Sequence, residues 1–366
     1  MQKLQQLLDQ LEARRGNFLG VRWALPILTQ LTGATGSAKH DFKLHACPDL
    51  LRPLIELMAE WLRRPRIALT HVDASHHAEM ARRTVAATQI VRNLSVKPQN
   101  TELLANYNYL VPTLAALAND LPVPDGGHDT YLHTRATRDD SPLTFAVSPH
   151  GLAPTTAATA ARKQQHTSAH PVRENILAIF ENLAPAIALH EEGGAHTCLP
   201  VIVRGLCAEH KIVSSHAGAA LAYLSMPPSN FPLLITALPD ILDKFSLLLD
   251  ESLMTHVDVR CTSVQTLRNL SFHSHEARSR IAQEPRLLAH LVGAIEHAAQ
   301  QPSPRGFDWA RELADAGLEL LLNLADVADC LPSLQRFENR LLILACSHEQ
   351  LTDSAEKVVD VLRASS

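Results

Sequence analysis

A short pattern of apolar and polar positions recurs along the chain and predicts a helical repeat. In each copy, one polar residue, usually Asn, interrupts an apolar run, and Leu and then Ser, Ala or Thr follow it. The copies lie at 27–32, 90–95, 179–184, 220–225, 266–271 and 320–325. Several copies are separated by about the 40 to 47 residues typical of HEAT and armadillo units, and the wider gaps indicate insertions.

The segments between the copies have apolar residues at helical spacing. The stretch 287–295 shows the i, i+3, i+4, i+7 pattern of a helix with one buried face, and 50–58 and 103–117 resemble it. No alternating apolar pattern of strand length is present. The sequence therefore predicts an all-α fold, an armadillo/HEAT-like helical repeat solenoid. Neighbouring units of such a stack complete each other's core, and the concave side offers a groove for a ligand.

One long segment departs from this pattern. From 122 to 170 the chain is rich in Pro, Gly, Asp, Thr, Ser and Ala, so it has little apolar surface with which to offset the entropy lost on ordering. We predict N-terminal helical repeats in 1–121, a flexible insertion in 122–170 and C-terminal helical repeats in 171–366. A second, shorter loop is expected from Gln300 to Phe307.

Composition and charge limit the class of protein. Of the 366 residues, 46% are hydrophobic but only 4% are aromatic, which favours Leu- and Ala-rich helices over a β-sandwich. The net charge of −5 provides no basic stripe, so no direct nucleic-acid partner is expected. The most basic cluster, Arg63, Arg64 and Arg66, is interpreted as a solvated helix end rather than a nuclear import signal. No apolar stretch reaches the ~18 residues that would span a membrane.

The cysteines predict a reducing compartment. They lie far apart, form no Cys-x-x-Cys pair and follow no signal peptide, so we expect reduced core thiols in the cytoplasm or nucleus. They are Cys47, Cys198, Cys207, Cys261, Cys330 and Cys346.

The 20 histidines include two dense groups that could suggest catalysis or metal binding. The densest groups, 71–77 and 273–275, lack the His pair with an intervening Glu that places two imidazoles around zinc on one helix face. We interpret both groups as solvated turns between helices. No nucleophile elbow, phosphate-binding loop or dinucleotide fingerprint is present. The sequence therefore predicts a protein that is not an enzyme and has no catalytic residue, cofactor or metal.

The polar residue of the repeat motif is the candidate for partner binding. In armadillo stacks this residue lies on the inner helix of each unit, where an Asn amide can bond the backbone of a ligand. The candidate groove residues are Asn93, Asn182, Tyr223, Asn269 and Asn323. A second interpretation is that each Asn bonds a carbonyl of a neighbouring loop near a helix end. The sequence does not separate the two.

The order of several motifs resembles one family, the C-terminal armadillo-like domain of the ARID-containing Osa/BAF-type subunit of SWI/SNF chromatin remodelling complexes. The resemblance covers nearly the whole chain and rests on the shared order of short motifs rather than on any single one. The motifs are Trp-Ala-Leu at 23–25, Pro-Asp-Leu-Leu at 48–51, Asn-Leu-Ser at 93–95, Cys-Leu-Pro-Val at 198–201 and Phe-Glu-Asn-Arg-Leu-Leu at 337–342.

The resemblance implies a nuclear, non-catalytic scaffold subunit that binds core subunits of a remodelling complex through its repeat surface. The implied partners are SWI3-type and BAF60-type subunits and the helical segment preceding the ATPase. The sequence departs from the family because it contains no DNA-binding ARID module and no long disordered N-terminal region, so we expect a fragment or a short relative. The alternative is a generic armadillo-repeat adaptor of another intracellular complex.

Overall fold

A computed structural model describes most of the chain. The described residues are 25–29, 32, 44, 50–63, 71–121, 156–189, 192–250, 256–301, 308–348 and 351–364. Within these ranges all regular secondary structure is helical, which confirms the all-α prediction. None of the helices in these ranges is both long and apolar enough to cross a bilayer.

The helices are numbered in chain order. They are α1 (Leu51–Arg63), α2 (His71–Ser95), α3 (Pro98–Ala105), α4 (Leu110–Asp120), α5 (Thr156–Leu183), α6 (Cys198–Gly205), α7 (Lys211–Leu224), α8 (Phe231–Thr236), α9 (Leu238–Leu248), α10 (Val257–His273), α11 (His275–Ala282), α12 (Pro285–Gln300), α13 (Trp309–Ala325), α14 (Leu331–Gln335), α15 (Glu338–Ser347) and α16 (Thr352–Ala364). Short 3₁₀ turns precede several of them, at Glu192–Thr197, Pro228–Asn230 and Ala328–Cys330.

The chain divides into two compact units. The first comprises 1–103 and 113–176, and the second comprises 104–112 and 177–366. In the first unit α1 packs on α2, and the indole Nε1 of Trp61 donates to Oδ2 of Asp120 over 3.2 Å.

The second unit is built from a repeating set of three helices. A short first helix, a longer second helix and a third helix follow one another as α8–α9–α10, α11–α12–α13 and α14–α15–α16. Third helices pack on one another in succession, α7 on α10, α10 on α13 and α13 on α16, while α12 packs on both α9 and α15. This three-helix unit stacked in two layers is the armadillo/HEAT-type repeat fold.

Small side chains let the third helices approach closely. Gly218 of α7 faces Thr262 of α10 so tightly that a Cβ at 218 would overlap Oγ1 of the threonine. Buried hydroxyls on α10 bond carbonyls of their own helix, as Ser263 Oγ does to Val259 O over 2.8 Å, so burying them leaves no unsatisfied donor. The core around them is mostly Leu, Ile, Val and Ala, as the composition predicts.

Two buried asparagines fasten a preceding segment to a helix end in the same way. Each follows the Leu of a repeat motif by six residues. Asn100 accepts from the backbone N–H of Leu44 and donates to the carbonyl of Leu94. Asn230 accepts from Leu189 N over 2.7 Å and donates to the carbonyls of Ile187 and Leu224. In each of the two units, therefore, one buried asparagine bonds a backbone N–H of a preceding segment and a backbone carbonyl at the end of a helix.

Some expectations from the sequence need correction. Helix α5 begins at Thr156, inside the segment 122–170 expected to be a flexible insertion, because its Ala-, Arg-, Lys- and Gln-rich sequence favours a helix. Residues 122–155 lie outside the described part, and the predicted three-part domain division stays a prediction. The histidines of 71–77 occupy the first turns of α2 rather than a turn between helices.

The cysteines divide into two groups. Burial makes Cys198, Cys261 and Cys330 core thiols as expected, whereas Cys207 and Cys346 are exposed, so the core assignment was wrong for these two. Cys47 lies outside the described residues. Burial raises the pKa of the Cys198 thiol to about 12, which removes its reactivity near neutral pH.

Candidate protein-binding surface

The third helices of the second unit present a surface that the repeat pattern keeps in register. On α7, α10 and α13 the same spacing of three, four, four and three residues marks one helical stripe, which ends in the turn after α7 and after α13 and in the last turn of α10. We call this set the inner-helix face. Its members are Ile212, Ser215, Ala219, Tyr223 and Met226 on α7; Asp258, Cys261, Gln265, Asn269 and Phe272 on α10; and Glu312, Asp315, Glu319, Asn323 and Asp326 on α13.

Hydrogen bonds between adjacent helices fix this register at both ends. At the C-terminal end, Nδ2 of Asn269 donates to Oγ of Ser225 over 3.0 Å, and Asn323 makes the same bond to Ser271 over 3.0 Å. Nearer the N-terminal end, Ser215 Oγ donates to Oδ2 of Asp258 over 2.6 Å. Each of these bonds joins one helix to the next in the stack, between residues at non-equivalent places along the two helices.

The asparagines predicted as ligand contacts make bonds within the stack. Asn93 of the first unit donates to Thr29 O and Thr32 Oγ1, and its Oδ1 accepts from Gln89. Asn269 also donates to Ala222 O. The second interpretation placed each amide on a carbonyl of a neighbouring loop near a helix end; the acceptors here are carbonyls of the preceding repeat at Thr29 and Ala222 together with hydroxyls at Thr32, Ser225 and Ser271. These bonds use Nδ2 of Asn269 and Asn323 and leave Oδ1 of each able to accept from a ligand, so the groove assignment stays a prediction.

The other two predicted residues occupy the equivalent places. Asn182 is half-buried near the end of α5, and Tyr223 is exposed near the end of α7. On the same side of the stack, Glu181 of α5 contacts His216 of α7 through the imidazole Nδ1. Side-chain contacts therefore join α5 to α7, α7 to α10 and α10 to α13.

One end of the inner-helix face is apolar and exposed. Met226 and Phe272 hold equivalent positions on adjacent repeats and are 53% and 67% exposed, and Tyr223 lies one turn before Met226. The ring of Phe272 contacts His273 edge-on at 4.8 Å between centroids, and His273 in turn lies 5.0 Å from Phe231. We call Tyr223, Met226 and Phe272 the apolar end patch.

The stripe on α13 carries carboxylates instead. Glu319 is paired with Arg268 of α10 over 3.2 Å, and Asp315 with Arg311 of its own helix over 3.6 Å. The pKa of Asp315 is nevertheless raised, first by burial and then by the charges of Glu312 and Glu319, against the opposing effect of Arg311. Burial, the largest of these causes, therefore outweighs the attraction of the neighbouring guanidinium.

The face offers binding rather than nucleophilic chemistry. Its one thiol, Cys261, is fully buried, and burial followed by the Glu312 charge raises its pKa to about 12. Large apolar side chains, carboxylates and amide oxygens are groups that hold a protein partner.

Met226, Phe272 and the α13 carboxylates were not among the residues predicted from the sequence. A signal for the first two was available, because the residue after the Ser of the motif is apolar in three copies, at Val96, Met226 and Phe272, where a polar turn is expected. All three are exposed in the structure. The carboxylates carried no comparable signal, because an acidic residue on a helix is usually only a solvated position.

No family model and no curated protein matches the chain. Among solved structures, a computationally designed armadillo repeat protein for modular peptide recognition is similar over 86% of this chain and 98% of its own, at 18% identity and a TM-score of 0.48. A designed armadillo protein in complex with the peptide (KR)4 matches the same shares of the two chains at 17% identity and a TM-score of 0.47. The karyopherin Kap121p, bound to the extreme C-terminus of the phosphatase Cdc14p, is similar over 98% of this chain and 34% of its own, at 12% identity and a TM-score of 0.41.

Proposed function

We propose that this chain is a non-catalytic scaffold that binds other proteins through its armadillo-type repeats, as a subunit of a SWI/SNF-type chromatin remodelling complex in the nucleus. The observation that carries the binding role is the apolar end patch. Met226 and Phe272 are large apolar side chains exposed at matching positions of adjacent repeats, and the exposed Tyr223 lies one turn before Met226. Grouped exposed apolar residues beside polar neighbours are typical of protein interfaces.

The assignment to a remodelling complex is supported by the order of motifs along the sequence. The proposed partners are SWI3-type and BAF60-type subunits and the helical segment preceding the ATPase. The formal net charge of −5 favours protein partners over direct contact with DNA.

A generic armadillo adaptor of another intracellular complex is the second candidate. The same apolar end patch would serve it, so partner identity distinguishes the two. Nuclear localisation is proposed only for the subunit of a remodelling complex, not for the generic adaptor.

The test is affinity purification of the tagged chain from nuclear extract, with the bound proteins identified by mass spectrometry. Remodeller core subunits are expected in stoichiometric amounts, and fractionation should place the chain in the nucleus. The double variant Met226→Asp/Phe272→Asp should lose these partners. The matched control is Ile343→Asp on α15, which alters a residue that is 65% exposed and lies outside the inner-helix face.

Retention of the core subunits by the double variant would refute the patch as their binding site. Purification of a different stable complex would favour the adaptor. Thermal melts of all variants exclude loss of fold as the cause.

A further inference from the structure

We draw no further inference here: the strongest candidate, the surface patch around Tyr109 in the turn between α3 and α4, combines a side chain that is 75% exposed with a φ of 69°, but nothing in the part of the chain that the structure describes shows what would cover it.

Discussion

Asn269 donates a hydrogen bond from Nδ2 to Oγ of Ser225, a residue of the preceding repeat. The bond joins the ends of two adjacent inner helices, and Asn323 repeats it with Ser271. The asparagine of the repeat motif therefore joins adjacent inner helices, and this role is independent of any contact with a ligand.

The first prediction concerns this bond. Asn269→Ala and Ser225→Ala should each destabilise the second unit, and their double-mutant cycle should give a coupling of about 0.5–1.5 kcal/mol, the net value of a hydrogen bond. Urea unfolding followed by circular dichroism measures it. A coupling near zero would mean that the bond does not hold the helices together.

The double variant Asn182→Ala/Asn269→Ala addresses partner binding through the same side chains. If the amides contact a partner, capture should fall by more than the small loss of melting temperature explains. Unchanged capture with a lowered melting temperature would assign both asparagines to the fold alone.

The second prediction concerns Asn230, whose fully buried amide satisfies Leu189 N and the carbonyls of Ile187 and Leu224. Asn230→Ala should lower the free energy of unfolding by about 3 kcal/mol, because it leaves buried backbone groups without partners. Denaturant titration measures the change. Asn339→Ala on α15, where the side chain is exposed, is the control and should stay within about 0.5 kcal/mol of the wild type.

The third prediction concerns the close approach of α7 and α10. Ala is normally favoured over Gly inside a helix by about 1 kcal/mol. Gly218→Ala should nevertheless destabilise the protein by about 1–3 kcal/mol, because its Cβ would overlap Thr262. Removing the obstacle in Gly218→Ala/Thr262→Ala should recover at least part of the loss.

The comparison variant is Gly317→Ala on α13. Its Cβ would lie 2.7 Å from both Cδ1 and Cγ1 of Ile295, a less severe overlap than the 2.4 Å from Oγ1 of Thr262 at position 218, so its effect should be smaller than that of Gly218→Ala. Equal effects at the two glycines would show that the approach of Gly218 to Thr262 is not the cause.

The fourth prediction is a pH dependence at Asp315. Burial, reinforced by Glu312 and Glu319, raises the pKa of this carboxyl in the folded protein, so the folded state keeps the proton to higher pH than the unfolded state does. Ionised Asp315 therefore disfavours folding above its folded pKa. Asp315→Asn should stabilise the protein at pH 7, with no advantage below about pH 3.9, where the wild-type residue is protonated in both states.

Unfolding titrations of both proteins across this pH range test it. In a Glu319→Gln background, which removes one of the nearby charges, the gain from Asp315→Asn at pH 7 should shrink. A gain that stayed constant from pH 7 to pH 3 would exclude ionisation as its origin.

The fold was predictable from sequence because its signals are local. The stripe of Leu288, Leu291 and Ile295 predicted α12, and all three are buried there. The repeat motif marked the C-terminal ends of the long helices. The start of α5 at Thr156 was missed because helix propensity in 156–161 was outweighed by the turn-forming residues before it.

The binding surface was less predictable because it depends on which helices lie side by side. Asn269 could be singled out, but its partner Ser225 lies in another repeat, so sequence alone left both interpretations of the amide open. For Phe272 the only sequence signal was its place after the Ser of the motif, and the packing of α10 against its neighbours leaves it exposed.

Two kinds of residue lie close together at the end of an inner helix: one bonds the neighbouring helix, and the other is exposed to a partner. Asn269 bonds Ser225 and Asn323 bonds Ser271, whereas the exposed residue three positions after the asparagine is Phe272 in the first case and Asp326 in the second. That position is free to diverge. Exchanging Phe272 and Asp326 would place a carboxylate in the apolar end patch and remove the ion pair of Asp326 with Arg278, so we expect a changed choice of partner while the two asparagine bonds persist.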